Sequence, residues 1–132
     1  MDLNALIPAD DTIVVEIKNP ITGDVLLKDD GKPMTITIYG QHSAAYKTVL
    51  HEQADKRIQK MSKQKKQTIS SADVEAATLD LLSKTTKDWS IQLDGKAPKF
   101  SEAAARDLYV KLPWLRVQLI EAQEDLTGFL KG

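Results

Sequence analysis

Both tryptophans and both phenylalanines of this chain fall between residues 89 and 129. Large rings dominate burial wherever they sit. Aromatic residues make up only 5% of the sequence, so the packing has to be organised around its last third. That stretch begins with an alternating run in which Trp89, Ile91 and Leu93 share a side, and it turns at Asp94-Gly95. Pro98 to Phe100 can return as a short partner strand. Ser101 then caps a helix from Glu102 to about Lys111, with Glu102 favouring its positive end. Pro113 suits the first turn of a final helix. There Leu115, Leu119, Ala122, Leu126 and Phe129 recur at spacings of four, three, four and three, a heptad seam of about two repeats. Such a seam serves either the protein's own core or another chain.

The front of the sequence alternates with period two. Ile13, Val15 and Ile17 oppose Thr12, Val14 and Glu16, which reads as a strand. Turns follow at Asn19–Asp24 and Asp29–Pro33, where proline presets one backbone angle and glycine accepts a positive one. They bracket a short second strand, Val25 to Lys28. Met34 to Tyr39 forms a third. The expected unit is a three-stranded antiparallel meander with one apolar face, and helices must cover it. Gly40 breaks the last strand, and His42 or Ser43 can cap a helix to about Met61. Its stripe is Tyr46, Val49, Leu50, Ala54, Ile58 and Met61. Ser62 to Gln67 has no periodicity and reads as a helix end or linker. Ser70 with Asp73 is a capping-box signature, and Val74, Ala77, Thr78, Leu81 and Leu82 carry the next helix to about Ser83.

The fold class expected is therefore α+β in one domain over residues 1–132. Its parts are a β meander at 12–40, helices with a basic linker at 42–85, a short second hairpin at 88–100, and a helical pair at 101–131. Net charge is −1, so no whole-protein field draws the chain to nucleic acid or membrane. The absence of cysteine excludes disulfides and thiolate chemistry and fits a cytoplasmic protein. The amino terminus lacks the basic start and apolar run of a signal peptide. No apolar stretch nears the roughly 20 residues that cross a bilayer.

Candidate chemistry is sparse. Asp29-Asp30-Gly31 lacks the closing glutamate of a calcium loop and reads as a turn. His42 and His51 fall on opposite sides of a helix, so no shared metal is expected. Ser43, Ser70, Ser71 and Ser101 sit at helix starts rather than in a nucleophile elbow. No Gly-rich phosphate loop occurs, and no carboxylate spacing suggests an acid–base pair. The expectation is a protein without catalysis, cofactor or metal. One charge asymmetry stands out. Lys56, Arg57, Lys60, Lys63, Lys65 and Lys66 form a basic run with no acid among them. It can be a solvated helix end, a contact for an acidic protein, or a phosphate contact in a nucleic-acid-binding regulator, although no aromatic residue is interleaved for base stacking. Glu121, Glu124 and Asp125 offer a complementary acidic surface for self-association.

The order and spacing of Pro20, Thr22, Gly23, Gly31, Pro33, Gly40, Ser43 and Tyr46, followed by Trp89, Gly95, Phe100, Ser101, Leu108, Pro113-Trp114-Leu115, Gln118, Ala122, Asp125 and Phe129, resembles the tail assembly chaperones of long-tailed bacteriophages. The resemblance covers about residues 12–130. It departs at Gln41-His42, where the family pattern carries an aspartate. It implies a non-enzymatic chaperone in the host cytoplasm that binds the helical tape measure protein, helps recruit tail tube protein, and self-associates. A permanent tail or head–tail component is the alternative of similar build. The partner surface expected on this reading is Trp114, Leu115, Leu119, Leu126 and Phe129 on the last helix, with Lys56, Lys60 and Lys63 as the basic contact.

Overall fold

A computed structural model describes residues 2–8, 10–63 and 70–130, with the side chains of 60–63 excepted. It has three strands and four α-helices, β1 (Thr12–Glu16), β2 (Thr35–Tyr39), α1 (Ala44–Lys63), α2 (Ser71–Lys84), β3 (Thr86–Ser90), α3 (Glu102–Lys111) and α4 (Pro113–Glu124), with short 3-10 turns at Leu3–Leu6 and Leu126–Phe129. The α+β class expected from the sequence is the class observed.

β2 lies in the middle of an antiparallel sheet ordered β1-β2-β3. Ile13 stands opposite Ile38 and Val15 opposite Ile36 on one side. Ile36 meets Trp89 and Ile38 meets Thr86 on the other, with a register shift at Thr37/Ile38. Period-two alternation puts Ile36 and Ile38, both fully buried, on one face. Thr35, Thr37 and Tyr39 take the other. The third strand is therefore not the expected Val25–Lys28. That segment makes only isolated bridges, Lys18 to Val25 and Leu27 to Pro33. Two tight turns leave it too short to run beside β1. Leu26 is wedged instead between the diverging strand ends, where its N–H donates to Ile17 O and its carbonyl accepts from Met34 N, each at 2.8 Å. The vacant edge of β2 goes to residues 86–90, which bring Trp89 onto the apolar face.

The second hairpin is likewise reduced to a turn. Asp94 (φ 51°) and Gly95 (φ 73°) both adopt positive φ, the geometry of a two-residue hairpin loop, and Leu93 and Lys96 exchange both backbone hydrogen bonds at 2.9 Å. Pro98–Phe100 does not pair as a strand, since proline has no N–H for a ladder. It packs by its rings and carbonyls. Trp89 Nε1 donates to Pro98 O at 2.9 Å, and Phe100 meets the Trp89 ring edge-on at 5.3 Å.

The helix starts follow the capping signals. Ser43 Oγ accepts from Tyr46 N at 3.2 Å and opens α1. Ser70 and Asp73 form the reciprocal capping box of α2, and Ser101 accepts from Ala104 N to open α3. α2, α3 and α4 cover the apolar face of the sheet. Leu79, Leu82, Leu108, Tyr109, Leu115 and Leu119 join Ile36 and Ile38 in the core. Ion pairs tie the layer together at its surface. Arg106 of α3 pairs with Asp80 of α2, and Arg116 of α4 reaches Glu75 at 3.2 Å.

The last helix is shorter than its heptad pattern. α4 ends at Glu124, and Asp125 leaves helical geometry (φ −83°, ψ 90°). Its carboxylate accepts from Thr127 N at 3.1 Å, and that local bond competes with continuing the helix. The chain turns, and Phe129 swings back under Gly40 and His42, fully buried. The expected seam thus breaks after Ala122. Leu126 is left 43% exposed.

Candidate interaction surfaces

The surface expected on the final helix is for the most part interior. Leu115 (1% exposed), Leu119 (0%) and Phe129 (0%) are part of this chain's own core. They are unavailable to a partner, because a one-sided three-stranded sheet must be covered by something and α4 is what covers it. Trp114 is half-buried against that core. Of the five residues only Leu126 is exposed, and it lies beyond the helix. The structure does not bring these residues together as an outward face. Lys56 is exposed on α1. The side chains of Lys60 and Lys63, the residues Lys65 and Lys66, and most of the expected 62–67 linker lie outside the described residues.

The exposed apolar surface sits on α1 instead. That helix docks by its first half. Val49 is buried, Gln53 Nε2 donates to Ala77 O of α2 at 2.8 Å, and Lys84 approaches Glu52 at 4.0 Å. Leu50, Ala54 and Ile58 follow one another at four-residue spacing on a neighbouring row, and all three are exposed. Ile58 is 63% exposed and Val74, in the first turn of α2, 55%. Exposed Lys56 and Arg57 adjoin Ile58. The stripe read from the sequence is helical as far as Ile58, and the side chain of Met61 lies outside the described residues. The stripe holds more residues than the contact with α2 uses.

Two concave regions flank α4. One, of about 190 Å³, is lined by Tyr46, Leu81, Leu82, Ile120, Gln123 and Glu124. Burial and then the Glu124 carboxylate push the Tyr46 phenol up from its ordinary value. The other, of about 480 Å³, lies along β1 and holds Ile13, Val15, Glu16, Glu121, Ala122 and Asp125.

The histidines stand far apart in role. His51 is exposed. His42, at the start of α1, meets the Phe129 ring edge-on at 4.9 Å. Its Nε2 lies 2.8 Å from Asp10 O and so carries the proton. Nδ1 is buried with no hydrogen-bond partner among the described residues. In the Asp29-Asp30-Gly31 turn, Asp30 accepts from Lys32 N at 2.9 Å, and that bond holds its carboxyl below the usual value. Among the described residues no three His, Asp or Glu side chains gather as a metal site. No helix of the described residues is long and apolar enough to cross a membrane.

Sequence reasoning missed Gln123. This polar residue is 3% exposed, and its Nε2 donates to Tyr39 O at 2.7 Å and to Thr85 Oγ1 at 2.9 Å. Its place one residue past Ala122, flanking the seam, was the available signal. Gln118 was also missed as a structural clamp. Its side-chain amide holds both backbone groups of Lys18, at 3.0 and 2.8 Å. Comparison with known proteins brings no relative. No family model matches the chain, and no curated protein or solved structure resembles it significantly.

Proposed function

We propose that this chain is a non-catalytic assembly chaperone of a long-tailed bacteriophage. It acts in the host cytoplasm by holding the helical tape measure protein and assisting addition of tail tube protein. The observation that carries this reading is the exposed row Leu50, Ala54 and Ile58 on α1, with Val74 beside the helix pair. A helical client offers apolar residues at three- and four-residue spacing, and a ridge of the same spacing can lie along it. Covering each of these side chains contributes on the order of 1 kcal/mol. The resemblance of the residue order to tail assembly chaperones supplies the client's identity. Self-association covers the same ridge when no client is present.

The test is co-expression with the tape measure protein encoded by the same phage. The wild-type chain is expected to keep that protein soluble and to co-purify with it. Leu50→Asp/Ile58→Asp, with unchanged melting, is expected to lose it. Failure of the wild type to co-purify overturns the reading. So does recovery of many copies of the chain from purified virions by mass spectrometry, which would make it a permanent tail component.

A further inference from the structure

We propose that the open edge of β1, together with the acidic side of α4, is a docking groove for an extended basic segment of a partner protein, which joins the sheet as a fourth strand. The surface is separate from the α1 ridge and does not depend on it.

The phase of the edge follows from three contacts. Ile17 N donates to Met34 O at 2.9 Å, and Asp11 O accepts from Gly40 N at 2.9 Å. Both turn their backbone groups toward the β2 side. Antiparallel pairing alternates, so the N–H and C=O groups of Thr12, Val14 and Glu16 point away from β2. Lys18 has the same phase, and its N–H and C=O are taken by the Gln118 amide. Gln118 thus does for Lys18 what a residue of a neighbouring strand would do. Among the described residues nothing does so for Val14 or Glu16. An unpaired edge of this kind is a template for strand addition. Five residues offer about 17 Å of it.

The groove beside this edge selects the occupant. Half-buried Ile13, Val15 and Ala122 supply its apolar surface. Glu16, Glu121 and Asp125 supply three exposed carboxylates against the single ammonium of Lys18. A second copy pairing through the same edge would bring two such acidic sets together, which opposes it. An extended segment alternating lysine or arginine with apolar residues fits both requirements. Its backbone pairs with Val14 and Glu16. Its apolar row lies on the α4 side against Ile13, Val15 and Ala122, where Glu121 and Asp125 attract the flanking lysines, and its basic row lies on the opposite face beside Glu16.

The test titrates three capped peptides into the full, isotope-labelled chain. They are Lys-Val-Lys-Ile-Lys-Val, its counterpart Glu-Val-Glu-Ile-Glu-Val, and the lysine peptide N-methylated at every residue so that neither of its edges can donate to a neighbouring strand. The lysine peptide is expected to shift the amide resonances of β1 and slow hydrogen exchange at Val14 and Glu16 about tenfold or more, while the other two do neither. Glu16→Lys/Glu121→Lys, both at exposed positions, is expected to weaken binding about tenfold or more, and high salt to act in the same direction. Equal response to the methylated peptide, indifference to the charge reversal, or shifts confined to other surfaces would overturn the proposal. So would slow exchange at Val14 and Glu16 in the concentrated chain alone, since a second copy would then own the edge.

Discussion

Tyr109 donates its phenolic hydrogen to Thr86 Oγ1 across 2.7 Å, inside the layer between α3 and β3. The direction is fixed because the Thr86 hydroxyl spends its own hydrogen on Leu82 O at 2.8 Å. The phenol is fully buried. That burial pushes Tyr109 up to about 12 from an ordinary 10.0. In the unfolded chain the same group ionises near 10. The folded state therefore holds the proton more tightly. The stability this contributes is complete below pH 10 and is lost as pH rises toward about 12, where the loss reaches about 2–3 kcal/mol. Tyr109→Phe is expected to cost about 1 kcal/mol at neutral pH and to remove that alkaline loss. Urea unfolding of both proteins near neutrality and near pH 11.5 checks it. Parallel pH dependence of wild type and variant would refute the assignment.

Gln123 closes the contact between α4, the end of β2 and the start of β3. Gln123→Met keeps the volume but leaves Tyr39 O and Thr85 Oγ1 without their donor. The expected loss is about 1–3 kcal/mol, read as a lower denaturation midpoint with an unchanged slope.

Gly40 has no room for a methyl group. A Cβ there would lie 2.7 Å from His42 Cε1 and 2.8 Å from Phe129 Cζ, two rings packed on each other. Gly40→Ala is expected to destabilise by about 1–3 kcal/mol through overpacking. It should also shift the side-chain resonances of both rings, whereas Gly31→Ala, with open space around it, would leave them in place.

Leu115 and Leu126 would both face the same seam in an unbroken heptad pattern, and here only Leu115 is buried. Leu115→Ala is expected to cost about 3 kcal/mol. Leu126→Ala, at a 43% exposed position outside the helix, should cost about 0.5 kcal/mol or less. Trp114→Ala, half-buried, falls between them at about 2 kcal/mol. Equal losses at Leu115 and Leu126 in thermal melts would mean that the helix continues through Asp125.

Most local structure was legible, and for identifiable reasons. Ser70 with Asp73, Ser101 with Ala104, and Pro113 at a first helical turn act within four residues of themselves, so their geometry is written in their spacing. The strands at 12–16 and 35–39 were legible because alternation of Ile13, Val15, Ile36 and Ile38 has one use in a half-buried sheet. Val25–Lys28 was misread because its composition suits a strand while its length between two turns does not. The partner surface on α4 was misread because periodicity reports that a face is apolar and carries no information about what covers it. Gln123 escaped notice because a buried amide is specified by acceptors 84 and 38 positions away.

The amino-acid sequence by itself determined the α+β class, the helix starts, the tight turns, and the concentration of rings in the last third. These depend on φ preferences, caps and periods that operate over a few residues. Only the tertiary structure decided which segment became the third strand, that the apolar row of α4 faces inward while that of α1 stays bare, and that the edge of β1 is open. Those outcomes depend on which of several apolar surfaces meet first and bury most. That competition between distant segments is settled by packing in three dimensions, and no local pattern encodes it.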